Sequence, residues 1–385
     1  MFIFYTLAYL VILYLGPTMQ TISSVGMVVF SLLREFYLVF VLLYFLYSTG
    51  FRKKVFFTAE NILFTCCCIL AIPFVLPAGL GQGVITYIVF FSGPFLFLTI
   101  SNLKFSDATI KNYHYFLGLG FNCLCIGSIL LYFVQGKIVS IFGYENFDHF
   151  FLTDGSGKLR LFGLGFHPTT TGFFCIYAMG FLFFYRKEHI RPLLYFYANW
   201  LSHTRSALFG IPSYVFFKFK KRIRVFIVIP AILFVLLIYK MFIDKSIYRY
   251  IDTSAVVHLM HLFVTGPLYV FNYPFGAGLG RVSPYSREGY IVHLESDLYL
   301  YSIQVGILNL LLYIIAVCVV IKKLRNDNSS DAKFLLFVVL TFMLGCIIFP
   351  LHSLRFTSNF VFIEMGFYFS QRNYSMTEKV NARKI

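Results

Sequence analysis

Apolar runs close to the length of a bilayer crossing, punctuated by short basic clusters, recur along the whole chain. They cover 2–15, 24–48, 61–77, 84–101, 114–134, 168–185, 225–243, 298–321, 334–350 and 355–371. A transmembrane helix needs roughly 20 mostly apolar residues, so the pattern predicts an all-α polytopic transmembrane bundle of about ten full spans. The first run, MFIFYTLAYLVILYLG, lacks a basic leader and a small-residue cleavage site, and is expected to be a retained span. One further apolar stretch, 192–217, lies between two basic clusters, Arg186–Arg191 and Lys218–Arg224. A single crossing there would put one cluster on the wrong side by the positive-inside rule. Two short helices running in and back out, turning at Ser202–Ser206 with Arg205 at the tip, avoid the conflict. Such a broken or re-entrant hairpin is tolerated where it is buried in protein or lines a wet cavity. With it, the apolar helical segments number about twelve.

Charge sets the orientation. Basic residues follow alternate spans, at Arg52, Lys53 and Lys54, at Lys104 and Lys111, at Arg186–Arg191, at Lys218–Arg224, at Lys322, Lys323 and Arg325, and in the tail from Arg372. Placing every cluster in the cytoplasm puts both termini there. Two long polar loops, about 135–167 and 244–297, then fall on the opposite face of a single integral membrane domain, 1–385. The same placement accounts for the net charge of +16. That excess reads as topology and affinity for membrane lipids, and no nucleic-acid partner is expected.

Composition agrees: 59% of the chain is hydrophobic and 12% charged, about half the charge of a soluble domain. The eight cysteines, Cys66, Cys67, Cys68, Cys123, Cys125, Cys175, Cys318 and Cys346, lie in apolar runs and are expected to be buried small hydrophobes, not disulfide or metal ligands.

Charges inside spans are expensive and single out further residues. Arg34 and Glu35 suit pairing between helices, and Glu364 is a candidate partner for Arg355 or Arg34. Arg205 has no acidic neighbour in its own hairpin and needs an anion from elsewhere. In the first loop, Arg160 precedes a Gly-punctuated turn and His167-Pro168-Thr169, a helix start whose free N–H groups with an arginine suit an anion. Interfacial snorkelling of Arg160 and simple capping by His167 are the plain alternatives. The second loop carries the Gly-rich run with Gly278 and Gly280, the basic residues Arg249 and Arg281, and then His293-Leu294-Glu295-Ser296-Asp297. If extended, that last segment aims His293, Glu295 and Asp297 to one side. If Ser296 caps the next helix, Asp297 enters its first turn and Glu295 lies just outside. A carboxylate close to hydrocarbon suits general-base work, and a polar helix cap is the alternative. His293, Glu295 and Asp297 have metal-ligand chemistry but no recognised metal spacing, so no metal site is expected.

These residues resemble motifs of the O-antigen polymerase and ligase superfamily of bacterial surface-polysaccharide enzymes. Arg160, Gly163, Phe166, His167 and Pro168 are similar to its Arg…Gly…Phe-x-(His/Asn)-Pro turn. Leu201–Gly210 is similar to its hairpin tip, and Asn272–Gly280 to its Pro-x-x-Gly-x-Gly run. In the ligase branch a histidine precedes a Gly-x-x-Gly. Counting back from Gly306 places Glu295 at that position, and Asn309 stands where the second glycine would be. His258 stands where members often carry a phosphate-binding arginine. The resemblance implies the polymerase branch: a metal-independent glycosyltransferase without cofactor, multi-pass in the bacterial inner membrane, with its active site facing the periplasm. Donor and acceptor would be undecaprenyl-pyrophosphate-linked glycans. Arg160 and Arg205 would bind the diphosphate, helped by Arg281 or Arg249. Glu295 would be the base, with Asp297 or His293 orienting it. A polysaccharide chain-length regulator is the implied protein partner. A ligase transferring the glycan to lipid A-core, with His293 as base, and a lipid-linked glycan flippase are the alternative functions.

Overall fold

The structure, a computed structural model, describes residues 2–22, 24–49, 58–77, 79–142, 160–165, 167–204, 207, 210–218, 261–281, 296–348 and 355–382. All regular structure among them is helical. In chain order the helices are α1 (Phe2–Ile22), α2 (Ser24–Thr49), α3 (Ala59–Ala71), α4 (Leu80–Ile100), α5 (Asp107–Tyr132), α6 (Gln135–Phe142) and α7 (Pro168–Phe181). They continue with α8 (Arg191–Leu201), α9 (Gly210–Lys218), α10 (Gly266–Asn272), α11 (Asp297–Val305), α12 (Ile307–Asn326), α13 (Ser330–Ile348) and α14 (Arg355–Ala382). Four of them, α4, α5, α12 and α13, are long and apolar enough to cross a membrane. Large apolar side chains such as Phe4, Phe36, Phe116 and Leu308 are exposed on the flanks of α1, α2, α5 and α12, as a lipid-facing surface requires.

The centre of the bundle is α14, buried from Arg355 to Ser370 although it is rich in polar residues. Close packing and internal hydrogen bonding reconcile the two. Gly93 of α4 lets Phe362 approach, since a Cβ there would lie 2.4 Å from its ring. Asn359 donates to the Tyr9 hydroxyl at 2.6 Å and accepts from Ser92 at 2.9 Å. Glu364, expected to serve Arg355 or Arg34, instead accepts from Tyr113 at 2.5 Å and faces His114 at 3.8 Å. Both guanidiniums are taken by Glu35. The reason is depth: Arg355 opens α14, and Glu364 lies well along it.

Contacts between antiparallel helices define two ends of the bundle. At one end Phe2 meets Phe105 and Phe367, Lys323 pairs with Glu60 at 2.6 Å, and Arg372 and Tyr368 face Asp327. Lys104, Lys111, Arg186, Lys187, Arg191, Lys322, Lys323, Arg325 and Lys333 also gather at or near that end. The opposite end holds the start of α7, the start of α14 and the turn after α3.

The hairpin segment is resolved by its neighbours. α8 runs antiparallel to α7, because Arg191 pairs with Glu188 beyond the α7 C-terminus while Asn199 bonds Gly172 near its start. α9 runs antiparallel to α13: Gly210 abuts Thr341, and Tyr214 contacts Phe337. α13 is itself antiparallel to α7, since Phe334 meets Phe181 and Tyr185. α8 and α9 therefore run in opposite directions, with α9 heading towards the basic end.

Two expectations are corrected. The span written as 298–321 is two helices, α11 and α12, broken at Gly306, whose φ of 85° and ψ of 158° leave the helical region. Of the cysteines, Cys67, Cys125, Cys175 and Cys346 are buried, but Cys123 and Cys318 are exposed on the outer surfaces of α5 and α12. Hydropathy marks both environments as apolar and does not separate core from lipid.

Candidate functional site

The turn before α7 is tied to the α8 turn by direct bonds. Arg160 Nε donates to the Ser202 carbonyl at 2.8 Å, and Leu161 N to the Leu201 carbonyl at 2.9 Å. Gln135, at the start of α6, donates to the Arg160 carbonyl at 3.1 Å. An Nε anchor fixes the plane of the guanidinium, the geometry that bidentate oxyanion recognition needs. The α8 turn is in turn fastened to α7. Asn199 Nδ2 donates to the carbonyls of Gly172 and Thr204, and Thr204 Oγ1 donates to the Pro168 carbonyl at 3.1 Å. Gly172 makes this possible, because a Cβ there would lie 2.4 Å from Thr204 Cβ and 2.6 Å from Ser202 Oγ.

A second set of bonds shapes the same loop from below. Thr171 Oγ1 donates to the Phe162 carbonyl at 2.7 Å, and Leu164 N donates to Ser128 Oγ at 3.1 Å. The Tyr14 hydroxyl bridges Ser128 and Thr171. Gly163 adopts a φ of 63° over this cluster, and a Cβ would meet Thr171 and Ser128 at under 3 Å.

His167 is the N-cap of α7, with Nδ1 accepting from Thr170 N at 3.3 Å. Burial, helped by the Arg160 charge and opposed by a backbone hydrogen bond, lowers its pKa to about 4. The imidazole is thus neutral near pH 7 and serves as a cap, not as an anion ligand. In the unfolded chain it gains a proton below about pH 6.5, which the folded protein refuses until about pH 4. Stability is therefore expected to fall as pH drops through that window and to be insensitive to His167 above it. His167→Asn, which keeps a capping acceptor, should remove this part of the slope in thermal unfolding followed against pH.

The Gly-rich run threads between the helix break and the end of α3. Ala277 N donates to the Ile303 carbonyl, Gly278 N to Gln304, Leu279 N to Phe74, and Ile307 N to Pro274. The bonds at Ile303, Gln304 and Ile307 satisfy backbone groups freed by the break at Gly306, and the bond to Phe74 ties the run to the turn after α3. Gly278 (φ 108°) and Gly280 (φ 92°) hold left-handed turns, and a Cβ at Gly278 would strike Pro77 at 2.6 Å. Arg281 is exposed, with Nε donating to the Pro77 carbonyl at 3.1 Å.

Asp297 is fully buried in the first turn of α11, behind Ser296. The Cys346 thiol of α13 hydrogen-bonds to its carboxylate, and Ser296 Oγ donates to the Cys346 carbonyl at 3.4 Å. The Ser296 N-cap is as expected in backbone, φ −102° and ψ 122°, but its hydroxyl turns to α13 instead of capping α11. Asp297 is therefore buried at the helix start, where the dipole favours a carboxylate. α13, which carries Cys346, also packs against α7, the helix that follows the Arg160 turn.

Arg160, His167 and the α8 turn are thus brought together, as are Gly278, Gly280 and Arg281 with Pro77. Arg205, Arg249, His293 and Glu295 lie outside the described residues. Of the polar clamp, Ser202 and Thr204 lie within the Leu201–Gly210 stretch, while Asn199 precedes it and carries no sequence signal. Tyr14 and Ser128, from two distant helices, left no local signal. Among the described residues no three His, Cys, Asp or Glu side chains are placed to hold a metal ion. A scan against protein-family models and a search of curated proteins found no match to this chain.

Proposed function

We propose that the chain is a surface-polysaccharide (O-antigen) polymerase, acting on undecaprenyl-pyrophosphate-linked repeat units at the periplasmic face of the bacterial inner membrane. The supporting observation is the 2.8 Å bond from Arg160 Nε to the Ser202 carbonyl. It fastens one arginine to a turn that leads within three residues to Arg205. A pair of arginines, Arg160 and Arg205, suits a diphosphate leaving group by its charge and forked donors.

On this reading the basic end is cytoplasmic, about ten spans cross the bilayer, and α8 with α9 is the re-entrant element. Glu295 takes the proton of an acceptor sugar hydroxyl, whose oxygen attacks the anomeric carbon of the donor. The bond from that carbon to the diphosphate oxygen breaks, and undecaprenyl pyrophosphate leaves with its charge met by Arg160 and Arg205. Arg281 or Arg249 assists. Asp297 or His293 orients Glu295. The leaving group is already good, so charge neutralisation matters more than a general acid, and the reaction as proposed calls for no metal or nucleotide.

The test is the lipopolysaccharide ladder from a strain deleted for the gene. Core carrying a single repeat is expected, with long chains restored by the wild-type gene. Bare core with long lipid-linked chains accumulating would identify a ligase and make His293 the candidate base. Bare core without long lipid-linked chains would point to a flippase.

A further inference from the structure

We propose that Arg34, Glu35 and Arg355 form a binding site for the phosphate headgroup of a membrane lipid. The proposal uses none of the residues of the Arg160 turn and does not depend on the polymerase reading. Glu35 Oε1 accepts from Arg34 Nε at 3.0 Å and also from Arg355. Among the described residues it is the carboxylate in ion-pair contact with either arginine. Two guanidiniums against one carboxylate leave a positive excess inside a membrane bundle, where charge is rarely idle.

Position indicates what meets that excess. Arg355 is 8% exposed and anchored at the start of α14, whereas Arg34 and Glu35 are 26% and 34% exposed. Their neighbours on α2, Leu32, Leu33 and Phe36, are exposed large hydrophobes. The triad therefore opens sideways from the apolar flank of α2, at the end of the bundle away from the basic clusters. A ligand arriving there comes from the lipid phase.

The chemistry of the headgroup follows from the remaining polar atoms. A phosphate oxyanion satisfies the guanidinium forks. Glu35 Oε2 is shielded from solvent and has no hydrogen-bond partner among the described residues, so it takes a donor, such as a hydroxyl on the same headgroup. Tyr9, stacked on Tyr37 at 3.9 Å, accepts from Asn359, one helical turn along α14 from Arg355. The ligand class is an anionic, hydroxyl-bearing lipid phosphate, supplied either by bulk phospholipid or by a polyprenyl phosphate carrier.

The full chain, purified in neutral detergent, should be titrated with dioleoylphosphatidylglycerol, dioleoylphosphatidylcholine, undecaprenyl phosphate and inorganic phosphate, with binding read by native mass spectrometry. Phosphatidylglycerol or undecaprenyl phosphate should bind more tightly than phosphatidylcholine, and the tighter of the two identifies the source. Arg34→Gln should weaken that binding by about tenfold, the loss of one charge-assisted fork. Glu35→Gln, which removes the competing negative charge, should tighten it. A purely structural triad would lower the melting temperature in both variants and leave lipid affinity unchanged, and that result would overturn the proposal. So would equal binding of phosphatidylcholine, or displacement of the lipid by inorganic phosphate.

Discussion

Glu295→Gln is expected to abolish chain extension and leave a folded protein in the membrane. Glutamine keeps the shape of the side chain and cannot accept a proton, and loss of a general base costs about 10²–10⁴-fold in rate. The readout is a ladder collapsed to a single repeat, at wild-type protein level and melting temperature. The neighbouring carboxylate is a poor substitute, because Asp297 is buried in the first turn of α11 and engaged by the Cys346 thiol. Long chains made by Glu295→Gln would remove Glu295 from the role of base.

Gly172→Ala is expected to be nearly as damaging, although it adds one methyl group. The new Cβ would lie 2.4 Å and 2.5 Å from Thr204 Cβ and Oγ1, and 2.6 Å from Ser202 Oγ. The α8 turn must therefore lift off α7, moving the Ser202 carbonyl that anchors Arg160. Overpacking of this kind costs about 1–3 kcal/mol in stability. Activity should fall further, by roughly a hundredfold, because misplacing a positioned group by about 1 Å can cost that much. Gly120→Ala in α5, where a Cβ meets nothing within 4 Å, is the control and should leave both ladder and melting temperature unchanged. Equal behaviour of the two variants would separate the α8 turn from catalysis.

The candidate site was legible wherever its chemistry was local. Proline after His167 marks a helix start, and that start is where His167 caps α7. The opposite directions of α8 and α9 agree with the doubling back that the two basic clusters beside 192–217 suggest. Less legible were the partners. Nothing in the sequence indicates that Arg160 Nε bonds a carbonyl 42 positions away. The glycines of the Pro274–Gly280 run were grouped with the site, and they also act as the mortar of a helix break.

What the sequence by itself determined is the membrane-helical class, the apolar helices, the concentration of basic residues at one end and the doubling back of 192–217. Each depends on transfer of individual residues between water and hydrocarbon, or on charge counted along short loops, and both are additive and local. Only the tertiary structure decided that the polar helix α14 forms the core, that Glu35 and not Glu364 holds Arg355, and that Asp297 turns inward to Cys346. It also decided that α11 and α12 part at Gly306 around the Gly-rich run. Those outcomes depend on which helices lie side by side and at what depth. Hydrogen bonds and steric contacts within about 3 Å select partners that hydropathy treats as equivalent.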